Sequence, residues 1–340
     1  MRYRRITACL TVAGSFIWAC VGDDPSVNTS GGGPDAATES APIDAPSDGD
    51  TRDASIDTGV DAAPECNPLA PFTDIAPLEG VNTPEGEDGA WMSGDELTLY
   101  FARTTAGTFD LYVATRPNRA SAFVNIVPIA AINGATNDNH PTLGGDSLFF
   151  ASDREDGGQG TERVWKSVRA PDGSFGSPSM LATIGDPGEL ATFPYALPGG
   201  LLLYYVTKRP NEPGLAIWRA ARTSVGQPFG AGVNVSVLNM PSGSSPYLDG
   251  YPVVTPDDRT IYFTSYRPTA DAGAIGFNVF MATRSSAAAG FSPPVEVTEL
   301  NTTAEEWPTW ISADNCRILF ISDRPGSMAS RDIWQAHRGK

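Results

Sequence analysis

The feature that most constrains the fold of this chain is a fivefold internal repeat. Each copy has a short strand, an Asp/Gly turn, an aromatic-rich strand ending near Arg, a polar loop, and a third strand ending in Arg. The copies span 91–103 with 110–116, 141–154 with 163–169, 194–209 with 216–222, 252–267 with 278–284, and 308–324 with 332–338. Four copies open on Pro, and these prolines are 53, 58 and 56 residues apart. Repeats of this length are typical of solenoids and propellers.

A fourth candidate strand begins at a Phe after each of the first four copies, at Phe123, Phe175, Phe229 and Phe291. The fifth copy has no such segment after it, but the same signature precedes the first copy, at Phe72. The sequence therefore predicts an all-β, five-bladed β-propeller over residues 66–340, with four-stranded blades and an N-terminal strand that completes the last blade. The alternative is a β-sandwich with coincidental similarity between its strands.

The phrases Ser-Asp-Arg-Pro-Gly and Asp-Ile-Trp resemble the WD40-like repeat of TolB-type propellers. The resemblance covers about residues 72–340, and it is carried by Ser322, Asp323, Arg324, Asp332 and Trp334, and by Ser152, Asp153 and Arg154. It implies that Asp and Arg bridge a turn at a strand end, that the Trp packs between blades, and that the protein belongs to the cell envelope. It implies little about activity, because propellers have many unrelated functions.

The first 19 residues are typical of a bacterial lipoprotein signal peptide. Arg2, Arg4 and Arg5 precede an apolar stretch over 6–19 that is too short to span a bilayer comfortably. Ala19-Cys20 resembles a lipobox, which implies that Cys20 is lipidated and is the first mature residue. The alternative is an ordinary signal peptide with a chance Cys. Because Val21 follows Cys20, we expect an outer-membrane lipoprotein that faces the periplasm or the cell surface.

Residues 20–65 are predicted to be a disordered tether. Eleven acidic residues and one base lie there, and with few apolar residues burial cannot offset the cost of ordering the chain. An acidic interaction segment is the alternative. The whole chain has a net charge of −17, so we exclude nucleic acid as a partner, and we expect membrane contact through the lipid anchor only.

The candidate ligand site is a ring of acidic residues, which we call the acidic ring. These residues occur where each fourth strand is followed by the next inner strand, and they are Glu87, Asp88, Asp138, Glu189, Asp249, Glu305 and Glu306. Trp91, Phe193, Tyr251 and Trp307 flank several of them. A ring of this kind at the channel mouth suits a weakly bound divalent cation, a basic peptide or a sugar, and the alternative is a set of solvated turn residues. We expect no other cofactor.

Catalytic motifs are absent from the sequence. His140 and His337 have no ligand partner at metal-site spacing, so we expect structural roles for both. The main expectation is a monomeric, non-catalytic binding or scaffold module with an unidentified envelope protein or glycan as its partner. The alternatives are a glycosidase or lyase with carboxylates at the mouth, and a component of an export or envelope-maintenance complex. The enzyme is disfavoured because the acidic residues are expected on links, outside the inner strands.

Cys66 and Cys316 are predicted to form a disulfide. They are the two cysteines that remain after Cys9 is removed with the signal peptide and Cys20 is lipidated, and an exported protein meets an oxidising compartment. The predicted topology brings both to the same face of the last blade. Two unpaired buried thiols are the alternative.

Overall fold

The computed structural model describes residues 66–155, 161–186, 189–208, 214–241, 248–269 and 276–339. In these ranges the chain forms twenty β-strands in five four-stranded antiparallel sheets. Each inner strand contacts the inner strands of both neighbouring blades, and that of the fifth blade contacts that of the first, which closes the circle. The predicted five-bladed propeller is confirmed.

The blades follow the chain, and each is given from its inner to its outer strand. Blade 1 consists of β2 (Glu87–Met92), β3 (Thr98–Thr105), β4 (Thr108–Thr115) and β5 (Val124–Pro128). Blade 2 consists of β6 (Asp138–Gly144), β7 (Ser147–Ser152), β8 (Arg163–Val168) and β9 (Ser179–Met180). Blade 3 consists of β10 (Ala191–Ala196), β11 (Leu202–Lys208), β12 (Leu215–Ala221) and β13 (Val233–Asn234). Blade 4 consists of β14 (Asp249–Val254), β15 (Thr260–Ser265), β16 (Asn278–Thr283) and β17 (Val295–Glu296).

Blade 5 is completed from the other end of the described chain. It consists of β18 (Glu306–Ile311), β19 (Arg317–Ser322), β20 (Asp332–Arg338) and, as its outer strand, β1 (Phe72–Pro77). Strand β1 pairs antiparallel with β20, and Phe72 lies opposite Arg338. The predicted displaced strand is therefore confirmed, and it protects an edge of β20 that would otherwise be free to pair with another chain.

The predicted disulfide is also present. Cys66 and Cys316 are bonded, with their Cα atoms 6.1 Å apart and 250 residues between them in sequence. It ties the segment before β1 to the turn before β19, within the same blade. Residues 1–65 lie outside the described residues, so the signal peptide, lipidation at Cys20 and the tether stay predictions. No helix in the described ranges has the length and apolar character needed to span a membrane.

We call the face at which the inner strands begin the upper face, and the face with the turns between first and second strands the lower face. One residue of each lower turn has a left-handed backbone: φ is 64° at Glu96, 63° at Gly145, 66° at Gly200, 58° at Asp258 and 61° at Asn315. In four blades an Arg at or just after the end of the third strand donates from Nε to the carbonyl of this turn residue. The same guanidinium lies over the Phe that precedes or opens the outer strand, 4.0–4.6 Å from its centroid. The final Arg and the Phe of the repeat are therefore a contact pair.

A second repeated Arg connects neighbouring blades at the upper face. Its guanidinium binds the carboxylate that opens the inner strand of its own blade, in the pairs Arg103–Glu87, Arg154–Asp138, Arg267–Asp249 and Arg324–Glu306. It also donates to a backbone carbonyl of the link that enters the blade, at Val81, Ile132, Leu238 and Leu300. The turn bridge between adjacent Asp and Arg expected from the resemblance is wrong. The Arg pairs with a strand carboxylate, while Asp153 and Asp323 accept backbone N–H groups from Asn137 and Glu305.

The links carry an Asn that sequence reasoning missed. Asn82, Asn133, Asn239 and Asn301 each donate to and accept from the backbone of one residue in the third strand of the blade they leave. After blade 2 this position is Gly185, and blade 3 opens on Ala191 in place of a carboxylate. There Arg163 of β8 donates to the carbonyls of Ile184, Asp186 and Glu189. Arg163 therefore supplies hydrogen bonds to the backbone carbonyls of the link between blades 2 and 3, where the Asn and the carboxylate found in the other blades are missing.

Candidate functional site

The centre of the propeller is filled by aromatic side chains. Every inner strand has a β-bulge in its middle, and four bulge residues have positive φ: 53° at Gly89, 52° at His140, 47° at Phe193 and 49° at Tyr251. Phe193 stacks on Tyr251 with their centroids 4.0 Å apart, and His140 meets Phe193 edge-on at 4.4 Å. The remaining cavity is about 20 Å³, room for about one water molecule. A sugar ring therefore cannot enter the channel.

Gly89 is required where blade 1 meets this cluster. A Cβ on Gly89 would lie 2.6 Å from the Cα of His140, which is closer than carbon atoms approach. Gly89 is thus the small residue that lets the backbone of His140 approach β2 closely. Burial lowers the pKa of His140 to about 4, so the ring is neutral at pH 7, and it packs in the channel as the structural role predicted for it requires.

Blade 5 departs from the register that its sequence suggests. Because Glu306 pairs with Ser322 as Asp249 pairs with Ser265, Trp307 is equivalent to Gly250 and Pro308 is equivalent to Tyr251. Trp307 directly precedes the Pro that opens its copy, as His140 and Tyr251 do in theirs, but the register shows that it is not their structural equivalent. Trp307 instead packs beside the cluster, with its ring centroid 6.1 Å from that of Tyr251.

The structure divides the acidic ring into two groups. Glu87, Asp138, Asp249 and Glu306 are fully buried in the arginine pairs that join the blades. Burial raises the pKa of Glu87, Asp138 and Glu306, while their hydrogen bonds and arginines oppose that shift. These four side chains are therefore structural and do not face the mouth.

The other three members lie closer to solvent or to the channel. Glu189 pairs at 3.2 Å with Lys208, and both side chains are 48% exposed. Glu305 is half-buried, and burial raises its pKa, as does Asp323. Asp88 is the member that reaches the aromatic cluster, with Oδ1 4.0 Å from Nδ1 of His140. Among the described residues, no three His, Cys, Asp or Glu side chains are placed to hold a metal ion.

Asp88 is a buried carboxylate held in a fixed orientation. It belongs to the inner strand β2, and its Oδ1 accepts the backbone N–H of Gly89 at 2.7 Å. Its Oδ2 accepts from the guanidinium of Arg331, which comes from the loop before β20 and also lies over Trp307, 5.1 Å from the ring centroid. Asp88 in turn raises the pKa of Arg331. The carboxylate is thus paired with a guanidinium and adjacent to the channel.

Glu162 is the carboxyl group of this region that sequence reasoning missed. It lies just before β8, and its Oε2 accepts a hydrogen bond from Thr192 Oγ1 of the neighbouring inner strand β10. Burial, with Asp88 and Asp153, raises the pKa of Glu162 to about 7, against the opposing effects of Thr192 and Arg331. At neutral pH a large share of Glu162 therefore carries a proton.

Partly buried aromatic rings also lie at the upper face, next to Trp307, over which the guanidinium of Arg331 lies. Phe193 is partly buried, and Phe277 is 5.8 Å from Trp307 and 4.9 Å from Tyr266, measured between centroids. Burial raises the pKa of Tyr251, as does Asp88. The mouth combines a carboxyl group with a pKa of about 7, a carboxylate paired with a guanidinium, and apolar ring faces, which together can bind and protonate a neutral polar molecule.

The sequence matches no family model and no curated protein. Solved structures do share its fold. The catalytic domain of a Coprinopsis cinerea GH62 α-L-arabinofuranosidase is 10% identical, with a TM-score of 0.52 over 79% of this chain and 97% of that one. The Podospora anserina α-L-arabinofuranosidase PaAbf62A is 11% identical (TM-score 0.50; 81% and 98% covered), and a thermostable family-43 glycoside hydrolase is 13% identical (TM-score 0.51; 77% and 92% covered). At these identities the similarity shows the fold alone.

These findings correct the expectation of a non-catalytic binding or scaffold module, which was wrong. The three solved structures named above, which share the fold, are glycoside hydrolases. The sequence argument against an enzyme also fails, because it placed the carboxylates on links, whereas Asp88 is a residue of the inner strand β2 and raises the pKa of a second carboxyl group, Glu162.

Proposed function

We propose that the protein is a carbohydrate-active enzyme that hydrolyses glycosidic bonds at the upper mouth of the propeller. The observation that carries this is the pair Glu162 and Asp88, one carboxyl with a pKa of about 7 and one carboxylate held by Arg331. Glycoside hydrolysis needs such a pair, an acid that protonates the leaving oxygen and a second carboxylate that acts on the sugar carbon or on water.

Each residue of the mouth has a part in this mechanism. Glu162 donates its proton to the glycosidic oxygen as the bond breaks. Asp88, oriented by the Gly89 amide and Arg331, stabilises the positive charge that develops on the sugar or activates the attacking water. The sugar lies across the mouth against the partly buried rings, because the channel below is too narrow to admit it.

The test is reducing-sugar release from a panel of plant and bacterial polysaccharides by the purified chain. Glu162→Gln and Asp88→Asn should each lower the rate by roughly 10²–10⁴-fold while the fold persists. The matched control is Glu189→Gln, which changes an exposed carboxylate on the same face and should leave the rate unchanged. Full activity in Glu162→Gln, or no sugar release from any glycan, would contradict the proposal.

We further propose that the enzyme is exported and anchored at the bacterial outer membrane by lipid on Cys20, with the acidic segment 20–65 as its tether. The basic residues Arg2, Arg4 and Arg5, the apolar stretch and Ala19-Cys20 support this. Cys20→Ser should yield unprocessed or soluble protein in cell fractionation. Membrane partitioning and processing of the Ser variant at the same site would refute the anchor.

A further inference from the structure

A polar pocket lies on the lower face where blade 5 meets blade 1, and we call it the seam pocket. A cavity of about 320 Å³ is lined by Glu96, Arg119, Cys316, Arg317 and His337 among others. A neighbouring cavity of about 130 Å³ shares Arg119, Arg317 and His337 and adds Arg116. The seam pocket is on the opposite face from Glu162 and Asp88, so it is separate from the proposed active site.

Three guanidinium groups in the seam pocket converge on one buried carboxylate. Glu96 accepts from Arg317, its Oε2 is 3.5 Å from Nη2 of Arg116, and its Oε1 is 3.9 Å from Nη1 of Arg119. The carboxylates of Asp74, Glu79 and Asp314, which also line these cavities, belong to exposed residues. Among the lining residues that are not exposed, the bases Arg116, Arg317 and Arg338 therefore outnumber the one carboxylate, Glu96, in a chain whose net charge is −17.

The imidazole of His337 lines both cavities and lies among these charged groups. Its pKa is lowered by burial and then by Arg317 and Arg116, and Asp74 opposes them. Asp74, Arg116 and Arg317 are the charged groups that act on this imidazole.

The repeat shows that these cations are not required by the fold. Strand pairing aligns Arg317 with Thr98, Ser147, Leu202 and Thr260 in the other four blades. Counting from the terminal Arg of each third strand aligns Arg119 with Asp172, Val225 and Ala287. Four blades therefore fold without a base at the first position and three without one at the second. Both bases occur at the one seam where the circle closes, and there they face each other across Glu96.

We propose that the seam pocket binds an oxyanion, a phosphate or sulfate group, through the guanidinium groups of Arg119 and Arg317. The side chain of Arg119 is 50% exposed and that of Arg317 is 21% exposed, so both are accessible from the cavity. Guanidinium groups bind phosphate and sulfate oxygens through parallel N–H donors. The oxyanion neutralises the positive charge of the guanidinium groups that the single carboxylate of Glu96 does not balance.

Isothermal titration of the whole chain with sodium phosphate and with sodium sulfate tests this, against sodium chloride at equal ionic strength. A third arm uses a monosulfated sugar, which separates a free anion from one carried on a glycan. Binding by phosphate, sulfate or the sulfated sugar with no heat from chloride supports the proposal. No binding in any arm overturns it. The outcome is independent of glycoside hydrolysis, because no arm measures turnover.

Two variants and one spectroscopic signal locate the site. Arg119→Ala and Arg317→Thr install residues that other blades carry at these positions, and each should weaken binding about tenfold. Arg259→Ala, an exposed arginine on the same face, is the matched control and should bind as the parent does. The chain has two histidines, so the proton NMR signals of both can be followed, and the anion should raise the pKa of His337 and leave His140 unchanged. Parental affinity in both variants, or an unmoved His337, overturns the assignment.

Discussion

Arg338 lies over the ring of Phe72, with its guanidinium carbon 4.0 Å from the ring centroid, although the two residues stand at opposite ends of the described chain. The same pair of residue types lies within one continuous segment in blades 1, 3 and 4. In blade 5 it connects β20 to the N-terminal strand β1. Closure of the propeller therefore uses a contact that the other blades already make, and it needs no special device.

Phe72→Ala should lower the free energy of unfolding by about 3–5 kcal/mol, as is usual for removing a buried Phe. Phe72 is 2% exposed and also meets Tyr262 of blade 4 edge-on at 6.0 Å, so the variant loses packing within blade 5 and against blade 4. Urea denaturation measures this. Leu69→Ala, at a residue 89% exposed, is the control and should change stability by less than about 0.5 kcal/mol. Equal effects of the two variants would show that β1 does not close the fold.

The Cys66–Cys316 disulfide should stabilise the folded protein by constraining the unfolded chain. For a loop of 250 residues, the chain-entropy model gives an upper figure of about 5 kcal/mol. Cys316→Ser should therefore lower the midpoint of urea unfolding under non-reducing conditions. Addition of reductant should lower the parent to the same midpoint and leave the variant unchanged. A parent that is insensitive to reductant would contradict this role.

The sequence predicted the architecture because its signals are local and repeated. Phe72 could be assigned to blade 5 because Phe123, Phe175, Phe229 and Phe291 open the same segment elsewhere. The site was harder to predict from the sequence. Glu162 accepts its hydrogen bond from Thr192 in the next blade, and no local sequence pattern indicates that these two residues are neighbours. The carboxylate partner of each upper-face Arg was also missed. The Asp next to it in sequence and the carboxylate at the start of the inner strand are both plausible partners until the strand register is known.

His140 should make the protein sensitive to mild acid. Its pKa is about 4 in the fold against 6.5 unperturbed, so the unfolded chain binds the proton more readily. The stability that this group contributes is complete above pH 6.5 and is lost as the pH falls toward 4, by about 3 kcal/mol at most. His140→Phe, the residue that blade 3 carries at the same bulge, should remove this loss. Chemical denaturation at pH 7, 6 and 5 measures it, and parallel curves for parent and variant would contradict the assignment.

Glu162 should give the opposite pH dependence. Its pKa is raised from 4.5 to about 7, so the folded state holds the proton more tightly than the unfolded chain. Stability from this group is complete below pH 4.5 and is lost as the pH rises toward 7. Glu162→Gln should remove this loss of stability between pH 4.5 and 7, which chemical denaturation at pH 5, 6, 7 and 8 measures.

In the parent, sugar release should fall above about pH 7 as the acid loses its proton, and a rate that keeps rising to pH 9 would exclude Glu162 as the acid.

Asp249 should be far more important for stability than for ligand binding. It is fully buried, accepts from Arg267 at 2.9 Å and from Ser265 at 2.7 Å, and accepts the backbone N–H of Met240 at 2.6 Å. Asp249→Ala leaves those donors without an acceptor and a guanidinium without its counter-ion, which should cost about 3–5 kcal/mol. An alanine variant here, or at Asp138, therefore cannot test cation binding by the acidic ring, since loss of the fold would remove any site.

The matched comparison for Asp249 is Glu189, whose pairing with Lys208 is 48% exposed on both sides. Glu189→Ala should cost less than about 1 kcal/mol, because water screens an exposed pair. A double-mutant cycle of Asp249→Ala with Arg267→Ala in urea should give a coupling energy of roughly 1–3 kcal/mol, since each side chain is the other's counter-ion. If Asp249→Ala cost no more than Glu189→Ala, the buried arginine pairs would not be what holds each link to the next blade.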